Sequence, residues 1–136
     1  MNDQATTRLL VSAGFAVVGV LLLVYTAWAR HGGSPAARAW MGNEFGSRTF
    51  DERMTVLGAP MLGLICLCIA AGVLPVVGKH ILWITFPVAG LMFLPFLWAI
   101  MLFLPLPDLI YPGWARPLRE RNRRVETSMK QWLRRR

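Results

Sequence analysis

MTVLGAPMLGLICLCIAAGVLPVVG, residues 54–78, contains no Asp, Glu, Lys, Arg or His. At 1.5 Å rise per residue a helix of these 25 residues is about 37 Å long, more than the roughly 30 Å hydrocarbon core of a bilayer. The run is apolar all round, so it suits lipid or a protein interior on every side.

Working outward, two more runs share this character. Upstream lies LLVSAGFAVVGVLLLVYTAWA, residues 9–29, and downstream ILWITFPVAGLMFLPFLWAIMLFL, residues 81–104, both free of ionisable Asp, Glu, Lys, Arg and His. Together the three runs take up about half of the 136 residues, and every charged residue lies outside them. Only 16% of the chain is charged, where a soluble domain carries about 25%, and no remaining stretch is long enough for a globular domain of its own. The expected fold is therefore an all-α integral membrane protein. It has three transmembrane helices in residues 1–113 and a C-terminal amphipathic cytoplasmic helix in residues 114–136.

Basic residues set the expected orientation. Arg8 precedes the first run, Arg30, Arg38, Arg48 and Arg53 follow it, Lys79 separates the second from the third, and nine more lie beyond the third. The positive-inside rule puts the N-terminus outside the cell membrane and the C-terminus in the cytoplasm. A cleaved signal peptide ending at Ala27-Trp28-Ala29 is the rival reading. It would leave the basic tail outside, and its apolar run exceeds a usual signal core. Thirteen Arg against two Lys points to a GC-rich, bacterial genome. Tyr25 and Trp28 end the first run, Trp83 opens the third, and Tyr111 and Trp114 follow it, positions expected of aromatic belts.

Local signals refine this plan. Residues 34–42 read as a short helix with a Ser34 cap, Pro35 in its first turn and Gly42 at its stop, and Trp40 and Met41 suit a helix lying against the membrane surface. Thr49 and Glu52 have capping-box spacing, which starts the second helix near Phe50. Pro60 and Pro75 are expected to bend or end that helix, and Lys79-His80 to form a tight hairpin to the third. Pro105, Pro107 and Pro112-Gly113 break the chain after the third run, with Asp108 as an interfacial carboxylate, solvated by default, with pairing to a basic residue of the tail as the alternative.

Ala59, Gly63, Cys66 and Ala70 form one stripe of small side chains along the second helix. Such stripes let helix backbones approach closely in a membrane, against another span of this chain or a second subunit. In the tail, Leu118, Val125, Met129, Trp132 and Leu133 share a helix face, interrupted by Asn122 and Arg136. Arg119, Arg123, Arg124, Lys130, Arg134 and Arg135 are the candidate contacts to lipid headgroups of an anionic inner leaflet. Docking of this face on a partner protein is the alternative, and nucleic acid is disfavoured because no recognition motif accompanies the charge. Glu120 and Glu126 stand four residues before Arg124 and Lys130, the favourable order for ion pairs along a helix.

Catalytic chemistry is not visible. The spans carry no ionisable pair for a proton relay, and their Ser12, Thr26, Thr55 and Thr85 hydroxyls can bond to their own helices. His31 and His80 fall at opposite ends of the spans, and Cys66 and Cys68 point in different directions, so no cofactor or metal site follows. The expectation is an accessory or scaffold subunit of a larger membrane assembly, working with another membrane protein or as a homo-oligomer and not an enzyme. An oligomeric small-solute transporter or channel is the alternative.

Overall fold

The computed structural model describes residues 2–41, 49–101, 104 and 106–136, and these are all-helical. Helix α1 spans Asp3–His31, α2 Pro35–Arg38, α3 Thr49–Arg53, α4 Ala59–Val73, α5 Gly78–Ile100 and α6 Ala115–Arg134. Three stretches are long and apolar enough to cross a membrane: α1, the continuous helix Phe50–Val73, and α5.

Helix α4 is central, packing on α1 along one side and on α5 along the other, while α1 and α5 barely meet. Both pairings are antiparallel. Ser12 reaches Ala70 and Arg30 reaches Val56 across the first, and Gly72 lies beside Thr85 and Gly58 beside Ala99 across the second. Ser12, Gly19 and Thr26 are buried on α1 at steps of seven, and α4 buries Ala59 and Cys66, then Gly63 and Ala70, at the same step. A step of seven residues over two turns favours a shallow left-handed crossing. Small side chains at those positions bring the backbones together: a Cβ on Gly63 would stand 3.1 Å from the Gly19 carbonyl oxygen.

Each turn has a local cause. Gly32, with φ of 62°, ends α1 in the left-handed conformation that glycine adopts without a Cβ penalty. Helix α4 stops at Val73, because Leu74 precedes Pro75 and takes an extended conformation, ψ 133°. The hairpin therefore occupies residues 74–77, and Lys79 and His80 form the first turn of α5 instead of the connection expected from their charge. Gly78 is tightly confined there, with any Cβ only 2.4 Å from the Gly72 carbonyl oxygen.

Residues Met54–Gly58 form a π-helical turn between α3 and α4. Pro60 explains it. Its ring clashes with the carbonyl four residues back, Val56, and it has no N–H to offer that oxygen, so the turn widens. Pro87 and Pro95 sit inside α5, which stays helical through both.

The buried hydrophobic cluster lies where α1 and α5 end and α4 approaches through its π turn. Ala29, Trp40, Met41, Val56, Leu57, Ala99, Leu106, Tyr111 and Ala115 form one buried cluster. Trp40 and Met41 are thus inside the protein, a correction to their expected place on the membrane surface. Stacking on neighbouring aromatic rings and burial under α6 outweigh exposure to lipid headgroups.

Candidate functional site

A helix leaves its last carbonyls without intrahelical donors, and a buried end must find others. At this end of the bundle they come from side chains distant in sequence. On α1 the Trp40 indole donates to the Ala29 carbonyl at 3.1 Å, the Trp114 indole to that of Arg30 at 2.7 Å, and Arg38 Nε to that of Gly32 at 2.5 Å. At the end of α5 and just beyond it, Arg53 donates through Nη1 to the carbonyls of Trp98, at 3.3 Å, and Met101, and through Nη2 to that of Leu104. Arg30 donates at 3.3 Å to the Val56 carbonyl that Pro60 cannot serve, and at 2.8 Å to that of Ile110.

Cations near helix C-termini also complement the negative end of the helix dipole. Arg53 is only 4% exposed, and the adjacent Glu52 carboxylate, 5% exposed, feels the charges of Arg119 and Arg53. Helix α3 begins at Thr49, one residue before the expected start, and the side chain of Thr49, the capping-box partner of Glu52, lies outside what the structure describes. At the opposite end, Ser12 Oγ donates to the carbonyl of Ala70 in the last turn of α4 at 2.7 Å, whereas Thr26 bonds to its own helix at Leu22. All three long helices thus have C-terminal carbonyls served from another element.

Aromatic rings fill the space between these bonds. Trp40 stacks on Tyr111 at 6.4 Å between centroids and meets Trp114 edge-on at 5.4 Å, and the Arg38 guanidinium lies over the Trp114 ring. Trp114 also fills the space beside Gly32, where a Cβ would fall 2.5 Å from its ring.

Helix α6 is fastened to this cap. The Arg119 guanidinium lies 4.1 Å from the centre of the Tyr111 ring, pairs with the Asp108 carboxylate and donates to the Leu106 carbonyl at 2.9 Å. Asp108, still largely exposed, is therefore an ion-pair partner of basic tail residues, the alternative to plain solvation. Asn122, the polar break in the apolar stripe, donates to the Met41 carbonyl at 3.1 Å. Leu118 packs against the buried cluster.

Of the six cations expected at lipid headgroups, Arg119 thus turns inward, with a side chain 14% exposed. Arg123, Arg124, Lys130, Arg134 and Arg135 are exposed, and Arg124 and Lys130 pair with Glu120 and Glu126 at 2.6 and 3.0 Å. Ala59, Gly63, Cys66 and Ala70 are all buried. Sequence reading missed the inward roles of Arg30, Arg38 and Arg53, which entered it only as loop charges. The one signal for them is indirect: Pro60 deprives Val56 of a donor.

Burial raises the Tyr111 phenol above its ordinary value, opposed by the nearby Arg119 charge. The folded protein therefore holds this proton more tightly than the unfolded chain, whose tyrosine titrates near pH 10. The resulting stability is fully present below about pH 10 and is lost as the pH rises toward the folded value. Thermal unfolding in detergent at pH 8 and pH 11 should show a larger loss for the parent protein than for Tyr111→Phe. Equal losses would mean that Tyr111 does not contribute to the alkaline transition.

No protein-family model, curated protein or solved structure matches this chain.

Proposed function

We propose that the chain is a three-span protein of the cell membrane, N-terminus outside and C-terminus cytoplasmic, acting by contact as an accessory or scaffold subunit of a larger assembly. The cap of α1 and α5 and the base of α6 lie at one end with the arginine-rich segments, and the positive-inside rule makes that end cytoplasmic.

One observation carries the reading. The Arg, Trp and Asn donors of the cap, and the Ser12 and Thr26 hydroxyls between the helices, are engaged by backbone carbonyls, while the outward features are bare apolar helix faces and a basic helix. Leu10, Val17 and Leu21 of α1, and Trp83, Phe86 and Leu94 of α5, are exposed in this single chain. These are surfaces for contact with lipid and protein, whereas a solute pathway would need unengaged polar groups along a route.

The test is mild extraction from the native membrane followed by sizing on a native gel. The expected result is a particle larger than one chain in its micelle, holding further copies or a second membrane protein at fixed stoichiometry. Recovery as a lone chain in several mild detergents would overturn the proposal. In the same cells Gln4→Cys should label from outside and Ser128→Cys only after permeabilisation, and the reverse pattern would overturn the orientation.

A further inference from the structure

We infer that α6 changes role at Asn122: its first two turns are a latch belonging to the bundle, and residues 123–136 are an arm that lies on an anionic lipid surface. This rests on the reading that the capped end faces the cytoplasm, and it names what the presented helix touches.

The division is physical. Trp114, Arg119 and Asn122 bond to carbonyls of three separate segments, and Leu118 packs on the buried cluster. From Arg123 to Arg136 every residue is exposed.

The latch also fixes which way the arm faces. At about 100° per residue, Val125, Met129, Trp132 and Leu133 fall within roughly 60° of the direction of Leu118, on the face that Leu118 and Asn122 turn toward the bundle end. An apolar face pressed against the end of a membrane bundle continues, past the bundle's edge, onto the lipid surface beside it. Arg124 and Arg135 flank this face on one side and Lys130 on the other, where long basic side chains can lay their stems on the interface and raise their charges to headgroups.

Charge selects the lipid. Residues 123–136 carry Arg123, Arg124, Lys130, Arg134, Arg135 and Arg136 against Glu126 alone. Arg123, Arg124 and Lys130 have carboxylate neighbours in Asp108, Glu120 and Glu126, so a neutral surface would take the apolar side chains but leave Arg134, Arg135 and Arg136 without counter-charge. Anionic headgroups satisfy both, as expected of an interfacial helix with a basic polar face.

The test uses the full chain with Cys66→Ala and Cys68→Ala, reconstituted into vesicles, and a nitroxide on either Met129→Cys or Arg123→Cys. In phosphatidylglycerol vesicles the label at 129 should collide with oxygen severalfold more readily than with a water-soluble nickel chelate, and the label at 123 should show the opposite preference. In phosphatidylcholine vesicles the label at 129 should return to water, and 0.5 M salt should move it part of the way because surface charge is screened. A label at 129 that stays in water on both lipids overturns the inference. Equal shielding on both overturns the choice of anionic lipid, and spin–spin broadening at 129 in detergent alone assigns the face to a second copy instead. Because only the reconstituted chain is used, any of these failures leaves the native-gel result standing.

Discussion

Arg53→Ala is expected to lower the unfolding free energy by about 3–5 kcal/mol, the range seen when one member of a buried charged network is removed. Three carbonyls at the exit of α5, those of Trp98, Met101 and Leu104, lose the Arg53 guanidinium together, and that of Met101 keeps the Leu104 N–H at 3.2 Å. An acceptor left unpaired away from water costs on the order of 1–3 kcal/mol, and solvation recovers part of that at Met101 and Leu104, which are partly exposed. Glu52, equally buried, is left with Arg119 as its remaining favourable neighbour. The unfolding midpoint in detergent should fall by about 10 °C or more. Arg53→Lys should recover only part of the loss, because an ammonium keeps the charge but cannot fork across carbonyls on two turns. Arg123→Ala, at an exposed position, should stay within about 0.5 kcal/mol of the parent. A midpoint for Arg53→Ala within 2 °C of the parent would show that Arg53 does not hold the end of α5.

The fate of Arg53 also marks where sequence reading stops. The three apolar helices were legible because lipid-compatible surface needs a charge-free run of a set length, and such a run is visible without knowing any partner. The Glu120–Arg124 and Glu126–Lys130 pairs were legible because a helix fixes the distance between residues four apart. Arg53 and Leu104 are 51 positions apart, and Arg30 and Ile110 are 80 apart, so no local period connects them. An arginine just outside an apolar run looks the same in sequence whether it faces water or turns back to serve a helix end. Asn122 is similar: it appeared as a defect in an apolar stripe, yet its amide meets the Met41 carbonyl and thereby ties α6 to the cap. Trp40 and Met41 were misplaced for the same reason, since the rings and the helix that cover them lie more than 60 residues downstream. The Gly42 stop expected after them lies outside the described residues.

Gly63→Leu should destabilise the protein by about 1–3 kcal/mol, the usual cost of overpacking a close contact. Even a Cβ at this position would stand 3.1 Å from the Gly19 carbonyl oxygen and 3.1 Å from Leu23 Cγ, and a leucine adds three further carbons. The reciprocal site is tighter, with a Cβ on Gly19 falling 2.8 Å from the Gly63 carbonyl oxygen. A backbone oxygen cannot rotate away as a flexible side chain would, so the helices themselves must separate. Separation then stretches the 2.7 Å bond from Ser12 to the Ala70 carbonyl near the end of the same seam. In a bilayer, apolar surface gains little by leaving lipid for another helix, so close packing and such bonds are what hold α1 to α4. Because the two glycines share one contact, Gly19→Leu combined with Gly63→Leu should cost less than the sum of the single changes. Gly14→Leu is the control, since a Cβ there meets nothing within 4 Å. Thermal unfolding in one detergent ranks all four variants against the parent. A loss for Gly14→Leu as large as that for Gly63→Leu would mean that added bulk on any face is harmful and that this seam has no special part in holding the two helices together.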